Sequence, residues 1–249
     1  MRQGLRKGAA LLLTLLLIFV SAATGETPER LLTEDEENGF WEYRDENLHI
    51  TITRYSETVP SKKKNRIREY CVAEIEASPA SPLHPVLSEP TKKHAAGYKL
   101  VSPELLDEKS RPMFAMSDDM YGIRLQKYDY QGIVIRDGEI MATKTRNSAK
   151  KRAWPNLDTL AVFSDGSMKT FVCDAYTAEE YLAMGAEQVF SFGPILISEG
   201  VVNEEVLNPK YYPYNEPRVA MGMIEPWHYI LVMVRGRPTA EYVGVHLDW

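Results

Sequence analysis

Leu48-His49-Ile50-Thr51-Ile52-Thr53 alternates apolar and polar residues without a break. Successive side chains of an extended chain point to opposite faces, so this stretch reads as a half-buried strand. The same reading extends outward. A second strand is expected over about residues 67–77. The basic stretch between the two, Ser61-Lys62-Lys63-Lys64-Asn65-Arg66, reads as a solvated hairpin tip in preference to a grip on an anionic polymer. Gly132-Ile133-Val134-Ile135 runs into Asp137-Gly138, and Leu160-Ala161-Val162-Phe163 runs into Asp165-Gly166. Asp-Gly after an apolar run is a hairpin turn signal, and residues 168–172 return from the second one. Residues 113–116 form a short apolar stretch, and 189–192 and 195–198 flank Gly193-Pro194. Tyr229-Ile230-Leu231-Val232-Met233-Val234 is the most apolar run beyond the N-terminus and reads as a strand buried on both faces.

Helical signals are few. Ser102 can cap a short helix over 103–109, and Thr177 with Glu180 forms a capping box for a helix ending near Met184. Pro79, Pro82, Pro85 and Pro90 make 78–92 an irregular connection. No internal repeat is present. The expected class is α+β, with mostly antiparallel or mixed β-sheets and a few short helices. A doubly wound parallel sheet is excluded because helices do not alternate with strands.

The N-terminus carries an address. Arg2, Arg6 and Lys7 precede an apolar run over 9–20, and Ser21, Ala22 and Ala23 follow. Basic start, apolar middle and small-residue cleavage site are the three parts of a secretory signal, expected over 1–23. The rival is an uncleaved anchor, which would be the chain's one tie to a membrane; both readings export the remainder. An acidic, solvated leader is expected over 24–39, a strand-rich region over 40–112, and a second region over 113–249. Net charge is −6 over 249 residues, and losing the three basic residues of the signal makes it −9, because 1–23 hold no Asp or Glu. An acidic domain is a poor binder of nucleic-acid phosphates, so no nucleic-acid partner is expected. Two cysteines, Cys71 and Cys173, exclude a disulfide framework and a Cys-based zinc cluster. They are one possible disulfide or two separate buried thiols.

None of the five histidines is paired at metal-ligand spacing, and no nucleophile elbow, P-loop or dinucleotide fingerprint occurs, so neither a metal nor a cofactor is expected. What remains are turns at strand ends bearing glycine and arginine. Arg235 and Arg237 flank Gly236 directly after the apolar run, on one face of an extended chain. Guanidinium pairs suit phosphate or carboxylate; the alternative is two solvated turn residues. Asp118 and Asp119 can supply an acid or base, bind a cation, or form an acidic turn.

The order of these pieces resembles the phosphodiester glycosidase family over roughly 40–249. Phe40-Trp41-Glu42-Tyr43 with the first strand resembles the lead-in of bacterial members. Residues 117–122 resemble the family's Asn-Gly-Asp motif before Tyr-Gly. Residues 132–138 resemble Gly-Ile-x-Ile-Arg-x-Gly, and Gly185-Ala186 with Phe192-Gly193-Pro194 and Gly200 resembles Gly-Ala…Phe-Gly-Pro…Gly. Pro217-Arg218-Val219-Ala220-Met221-Gly222 resembles Pro-Arg-Thr-Ala-x-Gly, Val234-Arg235-Gly236-Arg237 resembles Val-Asp-Gly-Arg, and Gly244-Val245-His246-Leu247 resembles Gly-x-Thr-Leu. Ser117 and Asp118 stand where the family has Asn-Gly, Val219 and His246 where it has Thr, and Arg235 where it has Asp. The family pattern continues to a Leu-Asp-Gly-Gly-Gly-Ser motif beyond Trp249, so the domain is expected to be incomplete at its C-terminus.

The resemblance implies a secreted or cell-surface hydrolase that releases a sugar from a sugar-1-phosphate diester on a glycopolymer. It implies Asp119 as the catalytic acid or base, and Arg218 and Arg237 as phosphate contacts. Ser117, Asp118, Gly122, Gly193, Gly222 and Gly244 would line the substrate. The substitutions leave a second reading open, a non-catalytic glycan- or phosphate-binding relative or an inactive fragment.

Overall fold

The computed structural model describes residues 31–61, 64–88, 102, 104, 106, 112–116, 132–144, 157–207, 214–237 and 241–245. Among them are two large antiparallel sheets, a two-stranded hairpin and the short helix Ala178–Ala183. Sheet A holds six strands: β1 (Leu31–Asp35), β2 (Phe40–Arg44), β3 (Leu48–Val59), β4 (Arg66–Ala77), β12 (Arg218–Glu225) and β13 (His228–Arg235), in the order β1-β2-β3-β4-β13-β12. Sheet B holds β5 (Gly132–Arg136), β6 (Glu139–Lys144), β7 (Thr159–Phe163), β8 (Met168–Phe171) and β9 (Ala186–Ser191), in the order β6-β5-β9-β7-β8. A small hairpin, β10 (Ile197–Ser198) and β11 (Val201–Val202), stands apart from both. The helix α1 (Ala178–Ala183) carries the full capping box: Thr177 Oγ1 accepts from Glu180 N at 3.2 Å, and Thr177 N donates to the Glu180 carboxylate at 2.7 Å. Leu106 N donates to Ser102 O at 3.0 Å, one turn of the helix expected at 103–109.

The alternating stretch Leu48-His49-Ile50-Thr51-Ile52-Thr53 lies in β3. Ile50 and Ile52 face inward, and His49, Thr51 and Thr53 face out, where His49 Nε2 lies 2.9 Å from Glu42 Oε1. In register, Ile50, Ile75 and Tyr229 form one row across β3, β4 and β13, and Ile52, Ala73 and Leu231 form the next. These rows meet Val162 and Met168 of sheet B, with Leu160 and Phe190 at the margin. The opposite face of sheet B takes Ile133, Ile135, Ala161 and Val189 against Ala178 and Tyr181 of α1. The order of layers is therefore sheet A, sheet B, helix, each joined by apolar burial.

This layering corrects the reading of residues 229–234. The strand buried along its whole length is β5, in the middle layer. β13 lies in an outer layer, so Ile230 on its outward face stays 36% exposed while Tyr229 and Leu231 on its inward face are buried. A run of apolar residues reports hydrophobicity and not the number of covering layers. Two further differences concern the N-terminal half. Residues 31–35, expected in a leader, form β1 and pair with β2. β4 and β13 are neighbours from His228↔Glu76 to Arg235↔Glu69, so the segments before and after residue 112 share one sheet. Residues 113–116 form bends and no strand, with Phe114 packed on the core.

The sheets are clamped at one end by two turns. In the β12–β13 turn, Trp227 takes φ +68° and its indole lies where a side chain on Gly166, in the β7–β8 turn, would stand. Gly166 O accepts from Tyr229 Oη at 2.9 Å and from Trp227 N at 3.3 Å. Only glycine leaves that room, which is why the second Asp-Gly signal holds more than a turn.

Candidate active site

Three arginines gather at the other end of β12 and β13. Arg218 opens β12 opposite Val234, Arg235 closes β13 opposite Glu69, and Arg237 follows across Gly236. Gly236 takes φ +116° and rests on the Tyr242 backbone so closely that a Cβ would collide with it. Arg237 N donates to Tyr242 O at 2.9 Å. Residues 241–245 then cross this end of the sheet. Val243 N donates to Ile67 O at 2.8 Å, and Glu216 and Val245 exchange main-chain bonds of 3.1 and 3.3 Å. Gly244 lies against the Glu216 backbone with no space for a side chain.

Each guanidinium has a protein partner here. Arg218 Nε donates to Val245 O at 3.4 Å and Nη2 to Tyr214 O at 3.2 Å. Arg237 Nη1 donates to Glu216 Oε2 at 2.9 Å, with 62% of the arginine side chain exposed. Arg235 Nη1 donates to Glu69 Oε1 at 2.8 Å, and its guanidinium lies over the Tyr242 ring at 3.8 Å, a cation–π contact. Arg235 and Arg237 thus hold different carboxylates on either side of Gly236. The strand alternation expected to align them ends at that glycine.

The structure brings Arg218, Arg237 and Gly244 together around Glu216. Gly222 lies four residues along β12, roughly 13 Å from Arg218 at strand rise. Gly193, at φ +62° and joined to Pro194 by a cis peptide, belongs to the loop after β9. That loop is tied by Asp158, whose carboxylate accepts from Ile195 N at 3.1 Å and Cys173 N at 3.0 Å. Ser117, Asp118, Asp119 and Gly122 lie outside the described residues. Residues not singled out from the sequence are Glu216, Glu69 and Tyr242. Each is a partner across sequence distances that no local pattern signals.

Cys71 and Cys173 are free thiols. Burial, then the nearby Asp174 and Asp158, push the Cys173 thiol up to about 11. Burial and Glu69 raise Cys71 as well, against the opposing pull of Arg54 and Arg235. Among the described residues, no group of three or more His, Cys, Asp or Glu could hold a metal ion. A shallow depression beside α1 is lined by Asp174, Glu179 and Glu180 with no guanidinium, the wrong sign for a phosphate.

The family model of the phosphodiester glycosidases matches residues 111–248, more than half of the chain. The chain belongs to the phosphodiester glycosidase family. The matched segment contains all six of the motifs named above from residue 117 onward, including Arg218 and Arg237. Among solved structures, the catalytic domain of zebrafish N-acetylglucosamine-1-phosphodiester alpha-N-acetylglucosaminidase, auto-inhibited by its pro-peptide, is similar in fold. The TM-score is 0.53 at 16% identity, over 80% of this chain and 64% of that one. That share of this chain exceeds the family-matched segment, so the likeness takes in residues before 111. No match was found among the curated proteins. Among the described residues, no helix is long and apolar enough to cross a membrane.

Proposed function

We propose that this phosphodiester glycosidase family member is a secreted or cell-surface hydrolase that releases a sugar from a sugar-1-phosphate diester on a glycopolymer. The family match over 111–248 carries the reading. In this reaction water adds its oxygen to the anomeric carbon, the anomeric C–O bond to phosphate breaks, and a free sugar and a phosphomonoester leave. The phosphate oxygens gain charge as that bond opens, so cationic donors placed beside them lower the barrier. Arg237 offers an exposed guanidinium at the strand end, and Arg218 sets the position of the segment beside it. Asp119 supplies the acid or base. Export follows from the basic, apolar and small-residue pattern of residues 1–23.

A second reading, a glycan- or phosphate-binding relative without turnover, is favoured by Arg235. It stands where the family has Asp, and it is held by Glu69 and Tyr242. The two readings part on one assay. The chain is incubated with a panel of methyl phosphodiesters of α-sugar 1-phosphates, and free sugar and methyl phosphate are quantified. Equal release of both, lost in Asp119→Asn, is expected of the hydrolase. Saturable binding of a diester with no release favours the binding relative, and neither binding nor release sinks both.

A further inference from the structure

The inner face of sheet A continues past the core. The two rows packed on sheet B are followed, in register, by Arg54, Cys71 and Met233, and then by Ser56, Glu69 and Arg235. A strand period of two puts all of these side chains on the face that holds Ile50 and Ile52. Met233 is 49% exposed, so sheet B does not cover this half of the face. Trp41, from β2, walls one side. The result is a cleft of about 290 Å³, near the lower end of small-ligand sites at ~300 Å³.

Its lining is chemically mixed. The Trp41 indole gives an apolar aromatic wall. Arg54 lies 5.5 Å from that ring and donates to Glu36 O at 2.6 Å, and among the described residues no carboxylate pairs with it. Glu69 is held by Arg235, with 15% of its side chain exposed, so a carboxylate and a guanidinium are fixed on the far side. A small anion alone would use Arg54 and leave Trp41 idle, and the Glu69 carboxylate would repel a polyanion. A sugar ring uses all three features: its C–H face lies on the indole, its hydroxyls bond to Glu69 and Arg235, and an acidic substituent meets Arg54. Trp41, Arg54, Glu69 and Cys71 all precede residue 111, outside the family-matched segment.

We propose that this cleft binds a pyranose bearing an anionic substituent, a phosphate or a carboxylate, whether or not the protein hydrolyses a diester. Cys71 lines the cleft and reports occupancy, while Cys173, 8% exposed and held up to about 11, is an internal reference for the folded state. The experiment follows iodoacetamide alkylation of each cysteine at pH 8 by peptide mass spectrometry, with glucose 1-phosphate, glucuronate, glucose or inorganic phosphate present. Either anionic sugar is expected to slow Cys71 alkylation several-fold, and glucose or phosphate alone to need at least tenfold higher concentration. Arg54→Gln should abolish the protection with Cys173 still unreactive. If the variant exposes Cys173, calorimetric titration of the unaltered chain with the same four compounds decides instead, with the same ranking expected. No binding of either anionic sugar, equal protection by inorganic phosphate, or protection that survives Arg54→Gln would overturn the proposal.

Discussion

Arg218 and Arg237 carry the same charge but are placed for different work. Arg218 is half-buried and donates to the carbonyls of Val245 and Tyr214, which joins the start of β12 to the crossing segment. Arg237 is largely exposed and pairs with one carboxylate, Glu216. Arg218→Ala should therefore cost about 1.5–3 kcal/mol of stability, the worth of hydrogen bonds from a charged donor. Arg237→Ala should cost about 0–1 kcal/mol, as exposed ion pairs do. On the proposed reaction, Arg237→Ala should still lower turnover of a sugar-1-phosphate diester, by roughly a hundredfold. Urea denaturation and the release assay on both variants check the split. A stable Arg237→Ala chain with full turnover would remove Arg237 from the site. The residue types were legible in the sequence because guanidiniums after a strand are a local pattern. Their partners were not, because Glu69 lies 166 positions from Arg235, and Glu216 lies 21 from Arg237.

At the scale of elements, the glycines divide by what surrounds them. Gly244 touches the Glu216 backbone, so Gly244→Ala forces main chain apart and should cost about 1–3 kcal/mol or more. Gly222 sits inside β12, where an added Cβ would meet only an Ile230 methyl at an ordinary 3.5 Å. Gly222→Ala should be neutral to stabilising by up to about 1 kcal/mol, since glycine within a strand carries an entropic penalty. Denaturation midpoints read both. If Gly222→Ala keeps its stability and loses turnover, the glycine makes room for a ligand and not for the fold. The capping box of α1 and the two Asp-Gly hairpins were legible in advance because every atom involved lies within a few residues. The double burial of β5 in place of β13 was not, because coverage of a strand's second face is set by a layer distant in sequence.

For the molecule as a whole, the clamp between the two sheets has a pH signature. Tyr229 is buried, donates to Gly166 O, and burial raises its phenol above the usual value near 10. Tyr181 is buried and raised for the same cause, with its hydroxyl 2.6 Å from Thr159 Oγ1. A phenol whose folded pKa exceeds its unfolded one holds its proton longer when folded. Its stabilising effect is complete below the unfolded pKa of about 10 and is lost as pH rises through the folded value. Thermal midpoints should be flat in this respect up to about pH 9.5 and fall above it. Tyr229→Phe should cost about 1 kcal/mol at neutral pH for the lost hydrogen bond, and its midpoint should fall less steeply in alkali. An equally steep fall in the variant would place the titration elsewhere.

The sequence by itself determined the predominance of strands, the hairpin turns, the capped helix and the motif order that marks the family. Those features are local, or are ordered along the chain, and side-chain period and turn chemistry express them directly. Only the tertiary structure decided which strands share a sheet, which face each guanidinium meets, and where sheet B stops covering sheet A. The pairing of β4 with β13 joins residues more than 150 positions apart. The cleft at Trp41, Arg54 and Glu69 exists because one sheet is longer than the layer packed on it. Hydrophobic pattern states that a face can be buried, and only the packing of the second sheet sets how much of it is.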